Sequence, residues 1–270
     1  MRSLALFVIC LVATAISLAG CAEESPSRDT RGTPPTANSA TDPPQTQVAA
    51  TTGTIRGVVR YVGKKPEPKV LDVSADPYCA ACWAGKGGGP ISERWPFGEN
   101  DTLKNVLVYI SDGLGDREFT APSEPALVAM KDCQYVPHVT TVQVGQSVIF
   151  HNEDRTLHNV HLIPLENPEK GVGQPGNGIK QEFKLRKPEV GIYVKCGVHA
   201  WMFCIVHVMA HPHYDITREA GTFEIADVPP GEYELTAWQE FKLFKLDEEK
   251  LRVRVVPGEV TEVTFTVRPK

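Results

Sequence analysis

The chain has 270 residues, 41% hydrophobic and 23% charged, with 22 glycines and 22 prolines. That content of turn-making residues excludes a coiled coil, and the apolar share excludes a wholly disordered chain. A formal charge of −5 and the want of any long basic run exclude the positive field that non-specific nucleic-acid binding needs, while seven cysteines are too few for a disulfide-dense mini-scaffold.

Read in chain order, Met1-Arg2-Ser3 precedes an apolar stretch from Leu4 to Leu18. It is too short to span a bilayer and has the size of a signal peptide's apolar region. It ends in Leu18-Ala19-Gly20-Cys21, which resembles a bacterial lipobox. The resemblance implies that residues 1–20 are removed and that Cys21 is lipidated. The protein is then expected in the bacterial cell envelope, anchored to the membrane by acyl chains and facing the periplasm or the cell exterior. From Ala22 to Thr52, 15 of 31 residues are Ser, Thr or Pro, and Val48 is the sole apolar side chain larger than alanine's. Residues 21–52 are therefore expected to form a disordered tether, with an end-to-end distance of about 30 Å.

Beyond residue 52 the apolar residues alternate with period two, as in strands. The runs are Val106, Val108 and Ile110; Val142 and Val144; Phe183 and Leu185; Val190, Ile192 and Val194; Tyr233, Leu235 and Ala237; Leu251, Val253 and Val255; and Val263, Phe265 and Val267. Gly, Pro, Asn and Asp separate them, so the expected fold class is all-β, one or more sandwiches. One short helix is expected, over residues 241–250.

The densest chemistry lies at the end of the strand Val190–Cys196. Its alternation turns Cys196 to the same face as Val190, Ile192 and Val194, and the chain continues Gly197-Val198-His199-Ala200-Trp201-Met202. His158 lies upstream in Leu157-His158-Asn159-Val160-His161, after the polar turn Asn152-Glu153-Asp154-Arg155. Two imidazoles, a thiolate and a thioether suit copper, since soft sulfur ligands favour Cu(I) and two imidazoles complete a trigonal plane. Structural zinc sites use four Cys or His ligands and have little use for Met. Haem attachment is excluded because Cys79-Ala80-Ala81-Cys82 is followed by Trp83 rather than His.

The run Val136–Val148, the His158-Asn159-Val160 element and the Cys196-x2-His199-x2-Met202 loop resemble a type 1 copper cupredoxin of the plastocyanin and amicyanin class. The resemblance implies a Greek-key sandwich, one type 1 copper as cofactor, and His158, Cys196, His199 and Met202 as ligands. It also implies that Asn159 restrains the sulfur of Cys196. Val198, Ala200 and Trp201 are then expected to form an apolar rim around His199 through which electrons pass. His138 is expected near the site without ligating. His161, His207, His211 and His213 are expected to be surface or packing residues, and Cys204 a buried spectator. Of the remaining cysteines, Cys133 is placed to pair with Cys79 or Cys82 in an exported chain. Cys79 with Cys133 is the preferred pairing, although sequence does not fix connectivity.

The segments on either side read as a second sandwich. Thr54–Gly63 opens it, Asn105–Ile110 continues it, and Gly221–Trp238 with Glu262–Val267 completes it. Gly221–Trp238 resembles carboxypeptidase-regulatory-like, transthyretin-like domains, with Pro229-Pro230-Gly231 as a turn and Phe223, Tyr233 and Trp238 expected in the core. The expected organisation is thus a discontinuous sandwich of residues 53–124 and 214–270 with a cupredoxin, residues 125–213, inserted in it. Residues 125–213 hold eight basic and seven acidic side chains, so the acidity of the chain lies outside the copper module.

Electron transfer between redox partners, such as a c-type cytochrome, a dehydrogenase or an oxidase, is the expected function. No nucleophile and base stand at a spacing that suggests catalysis. Two other readings use the same residues: a copper carrier or sensor binding Cu(I) without cycling, and a surface or carbohydrate-binding protein with a structural copper site.

Overall fold

The structure, a computed structural model, describes residues 51–240 and 250–269 together with the backbone of 244–246. The expected signal peptide, Cys21 and almost all of the tether lie outside the described residues. Among those described, no helix is long and apolar enough to cross a membrane.

The protein is all-β, with one short helix among the described residues. In chain order the elements are β1 (Gly53–Tyr61), α1 (Pro77–Trp83), β2 (Leu107–Asp112), β3 (Ala126–Lys131), β4 (Gln134–Val136), β5 (Val139–Gln143), β6 (Ser147–Asn152), β7 (His158–Ile163), β8 (Lys170–Gln174), β9 (Lys180–Lys184), β10 (Glu189–Lys195), β11 (Phe203–Met209), β12 (Tyr214–Ile216), β13 (Thr222–Val228), β14 (Gly231–Trp238), β15 (Phe244–Leu246), β16 (Lys250–Val255) and β17 (Val260–Pro269). They form four sheets, ordered β13-β1-β17-β15, β12-β2-β14-β16, β5-β11-β10-β7-β8 and β4-β3-β6-β9.

The first two sheets face one another across a single core that includes Ile55, Val59, Val108, Ile110, Phe223, Leu235 and Phe265. Strict alternation along β1 buries every second side chain against that core. Gly57 sits mid-strand because a Cβ there would stand 2.6 Å from the Phe223 ring; the missing side chain lets the aromatic lie against the backbone. The other two sheets enclose a second core around Val128, Phe150, Leu162, Phe183, Ile192 and Val206. In it Tyr135, Phe150 and Phe183 meet edge to face at 5.9 and 5.7 Å, the arrangement that ring quadrupoles favour. The strands of the first sandwich thus come from both sides of residues 126–209 in sequence, and those residues supply all strands of the second.

β11 is buried on both faces along its whole length. One face, with Cys204, Val206 and Val208, belongs to the second core. From the other, the His207 ring lies 4.8 Å from that of Trp238, at the end of β14. Trp238, expected in the core of the first sandwich, is therefore found between the two sandwiches. Gly191, at φ +86°, faces the same indole, and a Cβ there would come within 2.7 Å of it. Phe223 and Tyr233 do fill the first core.

Two expectations about helices are corrected. Within the stretch expected to be helical, residues 244–246 form a strand that pairs antiparallel with β17, Leu246 opposite Val267. The rest of that stretch up to Glu249 lies outside the described residues. A partner strand at the sheet edge outweighs a short helical propensity. The helix that does form, α1, starts at an Asp76-Pro77 pair: Asp76 accepts a hydrogen bond from the Cys79 N–H at 3.0 Å as N-cap, and proline takes the first helical position.

Candidate metal centre

Three side chains converge at one end of the second sandwich. His158 opens β7, and Cys196 follows the last residue of β10, the strand beside it. The chain then turns through Gly197–Trp201 and enters β11. That turn is closed by two backbone bonds, Met202 N–H to the His199 carbonyl and Cys196 N–H to the Met202 carbonyl, both 3.0 Å. His199 is thereby folded back over Cys196. The Nδ1 atoms of His158 and His199 stand 3.0 Å apart, and Cys196 Sγ lies 3.7 Å from His199 Nδ1. The potential ligand atoms of the three residues all fall within 4.8 Å of one another. Met202 is buried in the same apolar cluster as Cys196. Asn159 donates its backbone N–H to Cys196 Sγ at 3.3 Å, and its side-chain amide donates to the Val172 carbonyl on the neighbouring strand β8 at 3.0 Å.

Each imidazole has its outer nitrogen held by a carboxylate. His158 Nε2–H donates to Asp154 Oδ2 at 2.8 Å, and His199 Nε2–H to Asp76 Oδ2 at 3.2 Å. Asp154 is itself fixed by a tight turn. Asp132 and Cys133, between β3 and β4, have φ of +51° and +58°, as a type I′ hairpin turn requires of both central residues. Their N–H groups both point at Asp154, at 2.9 and 2.8 Å. Asp76 is fixed by capping α1 and by the Thr156 hydroxyl, which donates to Oδ2 at 3.2 Å.

The helix that carries Asp76 is tied down beside the site. Cys79 forms a disulfide with Cys133, while Cys82, Cys196 and Cys204 are free among the described residues. The Trp83 indole N–H donates to the Asp132 carbonyl at 2.8 Å, and the Trp201 indole N–H to the Cys133 carbonyl at 3.2 Å. Val73, Cys79 and Cys133 form a small buried cluster with Tyr78, Trp83 and Trp201 packed on it.

These contacts set the ionisation of the group. Burial alone raises the Cys196 thiol, but hydrogen bonds from His158, His199 and the backbone N–H groups of Val198 and Asn159 outweigh it and bring the pKa down to about 5. Burial pushes both imidazoles down, and the charged partners win: Asp154 and Cys196 raise His158, and Cys196 and Asp76 raise His199. Both aspartates are raised by burial and lowered further by their donors, Asp154 chiefly by His158 and Asp76 by the Cys79 N–H and His199.

The donor set fits a soft metal ion. With both Nε2–H groups held by carboxylates, the two Nδ1 atoms and the Cys196 sulfur face a common centre. Without a metal, the imidazoles donate Nδ1 protons to the thiolate; a soft cation taking their place would meet two imidazole lone pairs and a thiolate.

The remaining histidines stay away from this centre. His138 Nε2 meets Glu240 Oε2 at 2.8 Å, with Phe203 against its ring, and takes part in the junction between the sandwiches. His161 bonds the exposed Glu169, and His211 and His213 pack on Phe119. His207 accepts the Gly191 N–H through Nδ1 at 3.0 Å. The expected apolar rim is altered: Val198 is 51% exposed and the Trp201 ring lies 5.0 Å from that of His199, but His199 itself is 3% exposed beneath α1. The two carboxylates were not foreseen. Asp154 stands four residues before His158 in the polar turn, and Asp76 precedes a proline, a helix-start signal more than 120 residues away in sequence from its partner.

No family model matches the chain, and no curated protein does. Among solved structures it is similar to a Cu-containing nitrite reductase (NirK) from Thermus scotoductus SA-01, at 25% identity over 36% of this chain and 24% of that one, with a TM-score of 0.28. It is similar to a purple cupredoxin from Nitrosopumilus maritimus, at 21% identity over 31% of this chain and 98% of that one, with a TM-score of 0.26. An oxidised point mutant of amicyanin matches at 21% identity over 33% of this chain and 96% of its own, with a TM-score of 0.28. The chain spans about a quarter of the nitrite reductase.

Proposed function

We propose that this chain is an exported, lipid-anchored type 1 copper protein that carries single electrons between redox partners. The observation that carries the reading is the convergence of His158 Nδ1, His199 Nδ1 and Cys196 Sγ, with both outer imidazole nitrogens held by carboxylates. His158, Cys196 and His199 would hold copper in a trigonal set with Met202 as the weaker fourth ligand. Copper held in this way supplies a one-electron couple between Cu(I) and Cu(II). The protein's part is to keep the ligands still. The Asn159 N–H on the sulfur, the two carboxylates and the closed loop fix each donor, so little has to rearrange between oxidation states.

In this reading residues 125–213 are a cupredoxin inserted into a carboxypeptidase-regulatory-like sandwich of residues 53–124 and 214–270. Acylated Cys21 and the tether of residues 21–52 hold both to the membrane in the cell envelope. Trp201 touches His199 and lines a surface groove of about 380 Å³ with Trp95, Tyr193 and Phe203, which offers a way for electrons to reach a partner protein.

Copper loading followed by oxidation and visible spectroscopy tests the proposal. An intense thiolate-to-copper charge-transfer band is expected, lost in Cys196→Ser and retained in Met202→Leu. A colourless oxidised protein with copper bound overturns it. Mass spectrometry of the membrane fraction should find Cys21 acylated as the new N-terminus.

A further inference from the structure

We propose that Asp76, which lies outside the sandwich that holds the other site residues, is a positioning residue for His199 and sets the balance between the two copper oxidation states. The effect on copper rests on the reading above; the pairing of Asp76 with His199 does not.

The geometry singles out this residue. His199 sits in a surface turn between the exposed Val198 and Ala200, yet is 3% exposed. What covers it is the start of α1. Asp76 Oδ2 accepts from His199 Nε2 at 3.2 Å, and Cys79 Sγ lies 3.7 Å from the same nitrogen. The carboxylate has no freedom to swing away. Its Oδ1 accepts the Cys79 N–H, and its Oδ2 also accepts the Thr156 hydroxyl. The helix behind it is held to the second sandwich by the Cys79–Cys133 disulfide, by Trp83 Nε1–H on the Asp132 carbonyl and by Tyr78 O–H on Asp154 Oδ1 at 3.3 Å.

A carboxylate that accepts the outer N–H of a ligating imidazole fixes its tautomer and orientation and makes the inner nitrogen a better donor. A more basic ligand favours the more highly charged ion, Cu(II), over Cu(I). Asp76 should therefore lower the reduction potential. The same bond keeps the His199 ring from turning out of the site. Partners of this kind change metal affinity by about 10–100-fold when removed. A loss of Cu(II) affinity about tenfold greater than that of Cu(I) corresponds to a rise of about 59 mV in potential for one electron.

The full chain tests this in two steps. In the metal-free protein, NMR is expected to show a His199 Nε2–H protected from solvent exchange, absent in Asp76→Ala and unchanged in Asp72→Asn. Asp72 is a fitting control because it lies on the same segment and bonds the Ser74 N–H at 2.9 Å instead of a site residue. In the copper-loaded protein, Asp76→Asn keeps a good N-cap but loses the charge, and its potential is expected to rise, while Asp72→Asn leaves the potential where it was. Equal N–H exchange in wild type and Asp76→Ala overturns the pairing. An unchanged potential in Asp76→Asn overturns the role at the metal. A wild-type protein that takes up no copper overturns the electron-carrier reading and the effect on potential with it, and the exchange result on metal-free protein tells that failure from a missing pair.

Discussion

The two sandwiches are built alike and end differently. Each closes two twisted sheets on a core of Val, Ile, Leu and Phe, the first around Phe223 and Phe265 and the second around Phe150 and Phe183. The first carries apolar side chains and tyrosine through its core. The second gives up one end to Cys196, His199 and His158, and that end is supported by a type I′ turn of its own aimed at Asp154 and, from outside the sandwich, by α1 with Asp76 laid over His199. The contrast teaches that an end of a β-sandwich given over to His, Cys and Asp is a local exception to hydrocarbon packing. Buried polar groups are tolerated where each finds a partner, and here one partner, Asp154, comes from the second sandwich itself and the other, Asp76, from the segment between β1 and β2.

The largest test of the comparison is whether the two cores stand or fall together. Phe150→Ala and Phe223→Ala each remove a fully buried ring and should each cost about 3–5 kcal/mol. Because β11 is buried on both faces and Trp238 lies between the sandwiches, both substitutions are expected to lower one common transition in denaturant unfolding. Two separated transitions would show the cores to be independent and the junction to be incidental.

Next comes the disulfide, which bears on one end only. Replacing Cys79 and Cys133 by serine opens a link between residues 54 apart and should cost about 2–4 kcal/mol. Copper loss to a chelator should quicken in this double variant more than in Phe223→Ala at matched stability. Equal release rates would mean that α1 does nothing for the proposed copper site.

The sequence carried the hydrocarbon part of this picture well and the supporting part poorly. Period-two alternation such as Val190, Ile192 and Val194 marks a strand directly, because burial itself sets the period. The spacing of Cys196, His199 and Met202 placed three candidate ligands in one loop for the same local reason, His158 was added as the second imidazole from an upstream strand, and the cupredoxin resemblance implied all four. Asp76 was invisible because its role depends on where α1 comes to rest, which no local pattern encodes. Trp238 was misplaced for a related reason. Alternation shows that a residue is buried on one face of a strand without showing that the other face of a neighbouring sandwich waits there.

The junction has its own pH signature. Burial pushes His207 down to about 3, below the ordinary value of about 6.5 that it regains on unfolding. The unfolded chain therefore binds the proton more readily. Stability from this residue is complete above about pH 6.5 and falls as pH drops toward 3, by about 2 kcal/mol at pH 5. His207→Gln keeps an acceptor for the Gly191 N–H and should flatten that part of the slope. Thermal unfolding of both proteins at pH 7 and pH 5 measures it, and parallel losses would assign the acid sensitivity elsewhere.

The mildest single substitution falls where the junction is polar on both sides. His138 Nε2 and Glu240 Oε2 meet at 2.8 Å, each side chain almost wholly buried. Glu240→Gln leaves an amide oxygen able to accept from the same nitrogen, so it should cost about 1 kcal/mol, whereas Glu240→Ala strands a buried imidazole N–H and should cost about 2–3 kcal/mol. Both losses should appear in urea midpoints and, on the proposed reading, leave the copper spectrum unaltered, since His138 belongs to the contact between the sandwiches and not to the cluster of His158, Cys196 and His199. A shifted charge-transfer band in Glu240→Gln would break that division: it would mean that the junction reaches Cys196 through β11, and that the apolar sandwich helps to set the geometry of the other.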